Sequence, residues 1–464
     1  MKIKTFFTVV FIFISVILKA SDTLSRVVIS DVLITGNKKT KTYIIKREML
    51  FKAGDTLQRN DLNDLLVKSR DLIYNTGLFT NVELTPIENE PGKFIIVVDV
   101  KEKWYIYPLP QFNLIARNFN DWVETYDASL ERVIYGIKFT HYNLSGRRDK
   151  LNIYLLNGYS KNVSINYSAP YSNPKLNRGF AFNAGFISTR NISYNTSGNN
   201  KLLQYASDKF INKNVQAGAA YYIRNGYYGR HTISASVNYL SVDKFIIDSN
   251  LNKNYFGKPA YSSLMPDFSY TFQYIKVDNI KYPLQGILFT GQFLKRGIGF
   301  SGGTNMTKIS ASAGFYLNHK KNWYSNFSIQ AVKKFPNNLA YINQNAFGYG
   351  DYNLRGLEYY VIDGPYSTLG KYTLKKKIVY FKIPLPFNLK TIPFIPVTIF
   401  GKTYFDAGYV YNIEKYKSPL NNKFLYSGGI GIDILSVYDI SLRIEYSFNQ
   451  LNEKGVFLHS SGGF

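Results

Sequence analysis

Residues 348 to 364 read Gly-Tyr-Gly-Asp-Tyr-Asn-Leu-Arg-Gly-Leu-Glu-Tyr-Tyr-Val-Ile-Asp-Gly, with Arg355 near the centre. Strand-like alternation stops near Phe335 and resumes near Tyr372, so this is the longest stretch without alternation in an otherwise alternating part of the chain. Loops longer than about 12 to 15 residues without secondary structure are usually functional or disordered, and this one is too aromatic for disorder. We therefore predict a loop that folds inward, onto the interior formed by the strands around it. The alternative is a surface loop with a solvated arginine, because connecting segments normally run over the surface.

The first twenty residues carry the pattern of a secretory signal. Lys2 and Lys4 precede an apolar run from Phe6 to Leu18, which is too short to cross a bilayer as a helix, and Ala20 precedes a polar segment. The chain contains no cysteine, which excludes a lipid-modified cysteine, disulfides and thiolate metal sites. Residues 1–20 are therefore predicted to be a signal peptide.

The formal net charge of +25 gives information about partners. In a cytoplasmic protein it would suggest nucleic acid, but an exported chain does not meet nucleic acid. The charge then favours attraction to anionic lipid head groups and to negatively charged clients. The alternative is a coding bias toward lysine, asparagine and isoleucine.

Residues 104–464 alternate apolar and polar side chains in short runs, as in Thr232–Tyr239 and Asp439–Phe448. No run after the signal approaches the roughly 20 apolar residues of a membrane helix, although the chain is 45% hydrophobic and 17% aromatic. The runs predict roughly sixteen strands, with short connections at the end where the chain enters and long ones at the other end. We predict a sixteen-stranded antiparallel transmembrane β-barrel in the outer membrane. Residues 348 to 364 then fall in the sixth outer loop, after the eleventh strand.

In residues 21–103 the spacing of apolar side chains differs from the alternation in residues 104–464. The pattern predicts a strand, two helices and two further strands, with the second helix ending at Asn75-Thr76-Gly77. This order indicates one small α+β domain of about 75 residues. Its segments Ile34–Asn37 and Tyr74–Val82 resemble the two signatures of a polypeptide-transport-associated (POTRA) domain. The signature residues are Gly36, Asn37, Tyr74, Gly77, Phe79 and Val82.

The barrel resembles the BamA/TamA-like outer-membrane assembly superfamily, of the bacterial surface antigen type. The likeness rests on Arg355-Gly356-Leu357 in the sixth outer loop and on Tyr404-Phe405-Asp406-Ala407-Gly408 in the thirteenth strand. The usual forms of these motifs are Arg-Gly-Phe/Tyr and Phe-x-Asp-x-Gly, so Leu357 and Tyr404 are departures at aromatic-type positions. Tyr380 stands where many relatives carry Glu, which puts a second carboxylate anchor for the loop in doubt. The segment from Trp104 to Trp122 is similar to that of single-POTRA members from the Bacteroidetes.

The two barrel motifs are predicted to meet. Tyr404, Asp406 and Gly408 share one parity of their strand with Lys402, so this charged set is expected to face the lumen. Arg355 is then expected to pair bidentately with Asp406, while Gly356 and Gly408 let the loop and strand backbones approach each other closely.

The resemblance implies insertion of outer-membrane proteins or movement of polypeptides across the membrane. The POTRA edge would bind extended segments by β-augmentation. The first strand, near Trp104 to Leu114, and the last, near Val456 to Phe464, would meet at a seam weakened by Gly462 and Gly463. Predicted partners are the outer membrane and lipopolysaccharide, unfolded outer-membrane or secreted clients, and periplasmic or lipoprotein accessory proteins, without nucleic acid.

Enzymatic chemistry is not expected. The four histidines are scattered, and no metal-ligating spacing, phosphate loop or nucleophile elbow occurs. We predict neither a metal site nor a cofactor. Two alternatives are a passive outer-membrane pore with a static plug and a two-partner-type secretion transporter, which usually has two head domains.

Overall fold

A computed structural model describes residues 26–115, 123, 127–349, 352–384, 394–413, 418–436 and 440–461. The chain divides into two compact units, one ending at Lys103 and one beginning at Trp104. Among the described helices, none is both long enough and apolar enough to cross a bilayer. The predicted signal peptide and the seam residues Gly462, Gly463 and Phe464 lie outside the described residues.

The first unit is an α+β domain with four strands. Its sheet has the order β2-β1-β4-β3, with β1 parallel to β4 and the other pairs antiparallel. The elements are β1 (Arg26–Thr35), α1 (Thr42–Lys46), β2 (Thr56–Gln58), α2 (Arg59–Tyr74), β3 (Phe79–Glu90) and β4 (Lys93–Glu102). The predicted order is confirmed, apart from β2, whose three residues are too few to show alternation. The strands β2 and β3 are the two edges of the sheet.

Helix α2 buries one face against this sheet. Its buried residues follow the helical period and are Leu62, Leu66, Ser69, Leu72 and Ile73. The Ser69 hydroxyl accepts a hydrogen bond from the backbone N–H of Leu50 at 3.1 Å, so this buried polar group is paired.

The second unit contains one sixteen-stranded sheet in which each strand pairs antiparallel with its neighbours. In chain order the sixteen strands are β5 (Ile106–Leu114), β6 (Val133–Tyr142), β7 (Lys150–Gly158), β8 (Ser160–Ala169), β9 (Arg178–Thr189), β12 (Asn212–Asn225), β13 (Gly229–Val242), β14 (Ser262–Val277), β15 (Gly286–Arg296), β16 (Met306–Asn318), β17 (Trp323–Phe335), β20 (Tyr366–Pro384), β21 (Phe394–Tyr411), β22 (Phe424–Leu435), β23 (Ser441–Asn449) and β24 (Lys454–Ser461). The predicted strand number is confirmed.

Other elements lie in the connections. Two short strand pairs interrupt the sequence order, β10 (Asn191–Thr196) with β11 (Leu202–Ala206) and β18 (Asn345–Phe347) with β19 (Ile362–Asp363). A short helix, α3 (Lys244–Asp248), follows β13.

The connections have the predicted asymmetry. At the end where β5 begins, β6–β7, β12–β13 and β16–β17 are joined by 143–149, 226–228 and 319–322. At the other end, 190–211, 243–261 and 336–365 are long. Two connections at that end are exceptions, because Tyr159 alone joins β7 to β8 and only 450–453 joins β23 to β24. The segment 336–365, called loop 6 below, follows the eleventh strand of the sheet, as the sequence predicts.

The two faces of the sheet differ in character. In β21, Phe405 is 51% exposed and the neighbouring Asp406 is fully buried. We call the face that carries exposed apolar side chains, such as Phe405, the outer face, and the opposite one the inner face. Strand lengths also differ around the sheet. β20 and β21 have 19 and 18 residues, whereas β5 has 9 and the described part of β24 has 8.

Candidate functional site

Loop 6 presents Arg355 on a tight turn. The backbone N–H of Leu357 donates to the carbonyl of Leu354 at 3.1 Å. Gly356, between them, has φ of +83°, a conformation that side chains disfavour. A Cβ at Gly356 would also lie 3.0 Å from the Cβ of Ser447 in β23. Glycine is therefore required at this position both for the turn and for the close approach to the sheet.

Arg355 pairs with Asp406 on the inner face of β21. Its Nε donates to Oδ2 at 2.9 Å, its Nη2 donates to Oδ1 at 2.5 Å, and its backbone N–H donates to Oδ2 at 3.2 Å. The Nη2 group also donates to Thr373 Oγ1 at 3.1 Å. Such a two-pronged guanidinium–carboxylate pair fixes orientation as well as charge. The structure thus brings the two sequence motifs together.

Tyr404 lies beside this pair. The Arg355 Cζ is 3.9 Å from the centre of the Tyr404 ring, and the Tyr404 hydroxyl forms a hydrogen bond with Ser447 Oγ at 2.5 Å. The ring occupies space that a side chain at Gly429 would fill, because a Cβ there would lie 2.4 Å from the Tyr404 hydroxyl. Tyr404 therefore meets the aromatic requirement of its motif through a cation–π contact.

A second carboxylate reaches Arg355 from an unexpected strand. Glu445 of β23 places Oε1 3.7 Å from Arg355 Nη1, and its side chain is 3% exposed. Tyr380 stands where the family resemblance puts a second carboxylate anchor in doubt. It is 47% exposed, so it does not belong to this buried cluster. Glu445 thus provides the additional negative charge near the guanidinium.

The network continues along the inner face through Lys402. Its Nζ is 2.5 Å from Glu445 Oε1 and also contacts Asp433 Oδ1, with all three side chains nearly fully buried. Lys375 Nζ lies 3.5 Å from Asp433 Oδ2, which also accepts a 2.7 Å hydrogen bond from the Tyr282 hydroxyl. Burying charges is costly unless they are paired, and here each carboxylate has a cationic partner.

Apolar packing supports the ionic contacts. Leu357 is 3% exposed and belongs to a buried cluster contributed by loop 6 and by β20 to β22. The cluster members are Ala346, Phe347, Leu354, Leu357, Ile362, Leu369, Val410, Leu420 and Leu425. Gly408 makes room for it, because a Cβ there would lie 2.9 Å from the Phe347 ring. Leu357 therefore serves as a packing residue where an aromatic residue is usual.

Loop 6 also touches the last strand. His459 Nε2 of β24 is 3.4 Å from Glu358 Oε1 and 3.5 Å from Glu445 Oε2. Burial raises the pKa of the Glu358 carboxyl above its ordinary value. A continuous set of charged groups therefore links β20 and β21 to β24.

Other long connections hold the outer part of loop 6. Asn200, in 190–211, donates from Nδ2 to the carbonyl of Val361 at 3.0 Å, and Asn421, in 412–423, donates to the carbonyl of Asp363 at 2.7 Å. Thr196 donates to Asp363 Oδ2 at 2.6 Å. The loop is thus anchored at the Arg355 turn and again near its end, where the chain returns to the sheet at β20.

The head-domain signature residues have structural roles. Gly36 has φ of +84° and lies so close to β4 that a Cβ would be 1.9 Å from the carbonyl oxygen of Val100. Asn37 donates to the carbonyl of Thr40 at 3.0 Å, and Gly77 ends α2 with φ of +77°. Phe79 and Val82 are buried in the domain core, and Tyr74 lies under the Lys103 ammonium at 5.9 Å.

The residues that sequence reasoning missed are the ionic partners on other strands. Strand alternation puts Lys402 on the lumen side of its strand, but nothing in the sequence connects it to Glu445. Asp433 and Tyr282 are 151 positions apart in the chain. Their common signal is a charged or polar residue on the inner parity of an otherwise alternating strand. Among the described residues, no three metal-ligating side chains lie together.

The first strand carries two prolines on the edge that faces away from β6. The backbone N–H of Ile115 donates to Arg132, and the carbonyl of Tyr105 accepts from Tyr142, so odd-numbered residues of β5 direct their backbone groups toward β6. Pro108 and Pro110 therefore direct their nitrogens away from β6, and proline has no N–H to donate. The edge of β5 that faces away from β6 therefore lacks two backbone N–H donors.

Comparison with known proteins identifies the head domain. Residues 27–103 match the POTRA family, described as surface antigen variable number repeat. Residues 27–103 are a POTRA domain. The single POTRA domain predicted from the Ile34–Asn37 and Tyr74–Val82 signatures is thereby confirmed.

The fold of the whole chain is similar to two solved structures. The crystal structure of BamA from Haemophilus ducreyi lacking POTRA domains 1-3 matches with a TM-score of 0.52 at 14% identity, covering 94% of this chain and 84% of that chain. CdiB from Escherichia coli matches with a TM-score of 0.53 at 11% identity, covering 94% of this chain and 75% of that chain. No curated protein sequence matches the chain.

These matches establish the fold, a POTRA domain followed by a sixteen-stranded antiparallel β-barrel. The fold expected from the BamA/TamA-like resemblance is confirmed. It also agrees with the predicted localisation, with the barrel in the outer membrane and the POTRA domain in the periplasm. The end of the barrel where β5 begins is then the periplasmic end, and the inner face lines the lumen.

Proposed function

We propose that this chain inserts polypeptides into the outer membrane, through a seam between the first and last barrel strands and without covalent chemistry or a cofactor. Residues 1–20 would direct export, residues 21–103 would receive clients in the periplasm, and residues 104–464 would carry out insertion. In its less specific form, the proposal is that the chain inserts polypeptides into the outer membrane or moves them across it.

The observation that carries the proposal is the state of the two end strands. Among the described residues, β5 has a register with β6 alone and β24 has one with β23 alone. Unpaired backbone groups cost several kcal/mol each in hydrocarbon, so an incoming strand that pairs with such an edge is stabilised. Pro108 and Pro110 keep the β5 edge from pairing fully with any neighbour.

The buried charge network argues against a passive pore. Lys402, Asp433 and Glu445 are nearly fully buried on the inner face, and Tyr282 and loop 6 pack against that network. An open conduit through this part of the lumen would expose these groups. A route for clients along the seam leaves the network intact.

The POTRA domain offers an edge for client capture. Strand β3 lies at one side of its sheet, and its residues from Thr85 to Glu90 are half-buried or exposed. Pro86 lies within this strand, a residue that sheets tolerate mainly at edges. The β2 edge is only three residues long. We propose β3 as the strand that pairs with extended client segments.

A disulfide across the seam tests the proposal. The chain has no native cysteine, so Gln111→Cys or Leu109→Cys on β5 can be combined with Phe457→Cys on β24, all on the inner face. We expect one of these pairs to crosslink and to stop insertion of a folding-reporter barrel into liposomes, with full recovery on reduction. The control pair, Ala311→Cys with Ala331→Cys, lies directly opposite in register on β16 and β17 and is expected to leave insertion unchanged.

Two outcomes would contradict the proposal. One is full insertion activity in a barrel whose seam is completely crosslinked. The other is steady ion conductance through single barrels in planar bilayers without any client insertion, which would identify a passive pore.

A further inference from the structure

Strands β20 and β21 continue past their neighbours at the periplasmic end. The pairing of β20 with β17 ends at Lys376, opposite Trp323, and Lys377 N–H donates to the carbonyl of Asn322 at 2.9 Å. The pairing of β21 with β22 starts at Thr398, opposite Leu435. Residues 378–384 and 394–397 therefore pair only with each other among the described residues. We call these two segments the ribbon.

The ribbon has one apolar face that continues the outer wall of the barrel. Directly opposite residues of an antiparallel pair share a face. Outer-face pairs follow Phe405 by steps of two along β21. They are Val379 with Ile399 at the start of the ribbon, and Phe381 with Val397 and Ile383 with Ile395 within it, of which Val397 is buried. On β20, Ile378 is 63% exposed, and Val379, Phe381 and Ile383 are 40% to 44% exposed.

Lysines paired with aromatic rings lie on the inner face of the ribbon and, beside its start, on the outer face. Lys382 Nζ lies 4.4 Å from the Phe394 ring centre, and Lys377 Nζ lies 5.3 Å from that of Tyr380. On the outer face, Lys376 Nζ lies 5.1 Å from the Trp323 ring, which is 39% exposed.

The segments of sequence that contain and flank these lysines carry no acidic residue. The turn 319–322 contributes the exposed Lys320 and Lys321 beside the start of the ribbon. No aspartate or glutamate occurs in 318–324, 374–384 or 394–402. This edge of the barrel is therefore apolar on its outer face and cationic around it.

We propose that the ribbon and its lysines form a binding surface for anionic phospholipid head groups in the periplasmic leaflet of the outer membrane. Acyl chains cover the outer-face side chains, which contiguous exposure to water would destabilise. Lysines and amphipathic aromatic rings are the side chains that lie at the head-group level, where lysine extends its ammonium toward the phosphates. Each lysine near an anionic surface adds attraction that salt weakens.

A polypeptide partner accounts for fewer features of the ribbon than a lipid leaflet does. An extended segment could pair with the free backbone edge of β20 beyond Lys377. It would leave the outer face of the ribbon in water, and the lysines without counter-charges. A lipid leaflet covers both, and the surface is continuous with the lipid-facing wall of the barrel.

A first experiment asks which face of the ribbon meets lipid. Ile383→Cys on the outer face and Tyr380→Cys on the inner face are each labelled with a nitrobenzoxadiazole fluorophore in the full chain, reconstituted in phosphatidylcholine and phosphatidylglycerol vesicles. We expect nitroxide-labelled acyl chains to quench the label at 383 at least threefold more than the label at 380. Equal quenching at both positions, or none at either, overturns the proposal.

A second experiment asks whether charge selects the lipid. In a Trp104→Phe, Trp122→Phe background, Trp323 is the one remaining tryptophan, and its quenching by brominated phosphatidylglycerol is compared with that by brominated phosphatidylcholine. We expect at least a fivefold preference for the anionic lipid at low salt, which is the factor that about 1 kcal/mol from a single lysine gives. The triple variant Lys376→Gln, Lys377→Gln, Lys382→Gln should lose this preference.

The matched control removes three exposed lysines from the outer loops, with Lys209→Gln, Lys253→Gln and Lys423→Gln. It should keep the full preference for phosphatidylglycerol. A preference that is absent in the parent, or unchanged in the ribbon triple variant, rules out the lysines as head-group ligands. Such a result combined with no quenching at 383 leaves the ribbon to a polypeptide partner.

Discussion

Asp406 is fully buried, and both of its oxygens accept hydrogen bonds from Arg355. The loss of either partner therefore leaves the other without its hydrogen-bonded counter-ion at a buried position. At the scale of single residues, this pair determines how firmly loop 6 is held on the inner face.

We expect Arg355→Ala and Asp406→Ala each to destabilise the docked loop by about 3 to 5 kcal/mol, reduced where water reaches the lumen. The double variant should be little worse than either single one, because the two residues act on one contact. Thermal unfolding and loop proteolysis of the four proteins give the double-mutant cycle. The control is the Arg190–Glu131 pair at 3.0 Å, in which the Glu131 side chain is 68% exposed, so its removal should cost clearly less than the loss of the buried pair. Additive losses at 355 and 406 would contradict direct coupling.

Gly408 tests the packing beneath the loop. A Cβ at this position would lie 2.9 Å from the Phe347 ring, so we expect Gly408→Ala to displace the loop and to cost about 1 to 3 kcal/mol by overpacking. Gly370→Ala on the neighbouring strand is the matched control, since its Cβ would meet only the Ala407 carbonyl at 3.8 Å. Protease cleavage within 336–365 measures the effect. Equal cleavage of both variants would show that Phe347 adapts without releasing the loop.

Glu358 predicts a pH dependence. Burial raises its pKa in the folded chain, so the folded state holds a proton more strongly than the unfolded state does. The stability from this proton is complete below the ordinary Glu pKa of about 4.3 and is lost as pH rises through the raised value. We expect Glu358→Gln, which stays neutral, to lack this loss. Thermal midpoints of both proteins should therefore diverge with rising pH in favour of the variant, and parallel curves would contradict the raised pKa.

At the scale of single elements, β5 is the strand whose sequence most directly affects function. Because of Pro108 and Pro110, two backbone N–H groups are missing from the edge of β5 that faces away from β6. The double variant Pro108→Val, Pro110→Val restores those donors, so we expect a firmer seam, a higher unfolding temperature and slower client insertion. Leu109→Val is the control, because its N–H points toward β6. An unchanged unfolding temperature in the double variant would show that the seam does not close on this edge.

Strand number and the meeting of the Arg355 and Asp406 motifs could be predicted because strand alternation has a strict period of two. Asp406 and Phe405 must then lie on opposite faces. Sequence alternation could not predict the roles of Glu445, Asp433 and Tyr282. These roles depend on how strands that are far apart in sequence come together around the lumen. Strand β2 has too few residues to show a period. Tyr159 as a one-residue outer connection likewise has no sequence pattern that distinguishes it from a strand position.

At the scale of the whole molecule, the charged groups extend from β20 to β24 through loop 6. Lys375, Lys402 and Glu445 lie on three strands of the barrel, and Glu358 and His459 extend the set to the last one. Motion of the last strand would change contacts at both His459 and Arg355. Loop 6 and the seam are therefore expected to respond to each other. The lipopolysaccharide and accessory partners predicted from the sequence remain predictions.

The unequal strand lengths have a consequence for the bilayer itself. Strands of 9 residues, as in β5, β7 and β23 on the two sides of the seam, at about 3.4 Å per residue and about 40° of tilt reach only about 23 Å along the membrane normal. That is slightly less than the apolar band of about 25 Å on an outer-membrane barrel, whereas β20 and β21 exceed it. Hydrophobic mismatch would then compress the lipid beside the seam and leave it relaxed on the opposite side. A client strand entering at the seam would meet the thinnest, most deformed hydrocarbon around the barrel, where its polar turns have the shortest distance to cross.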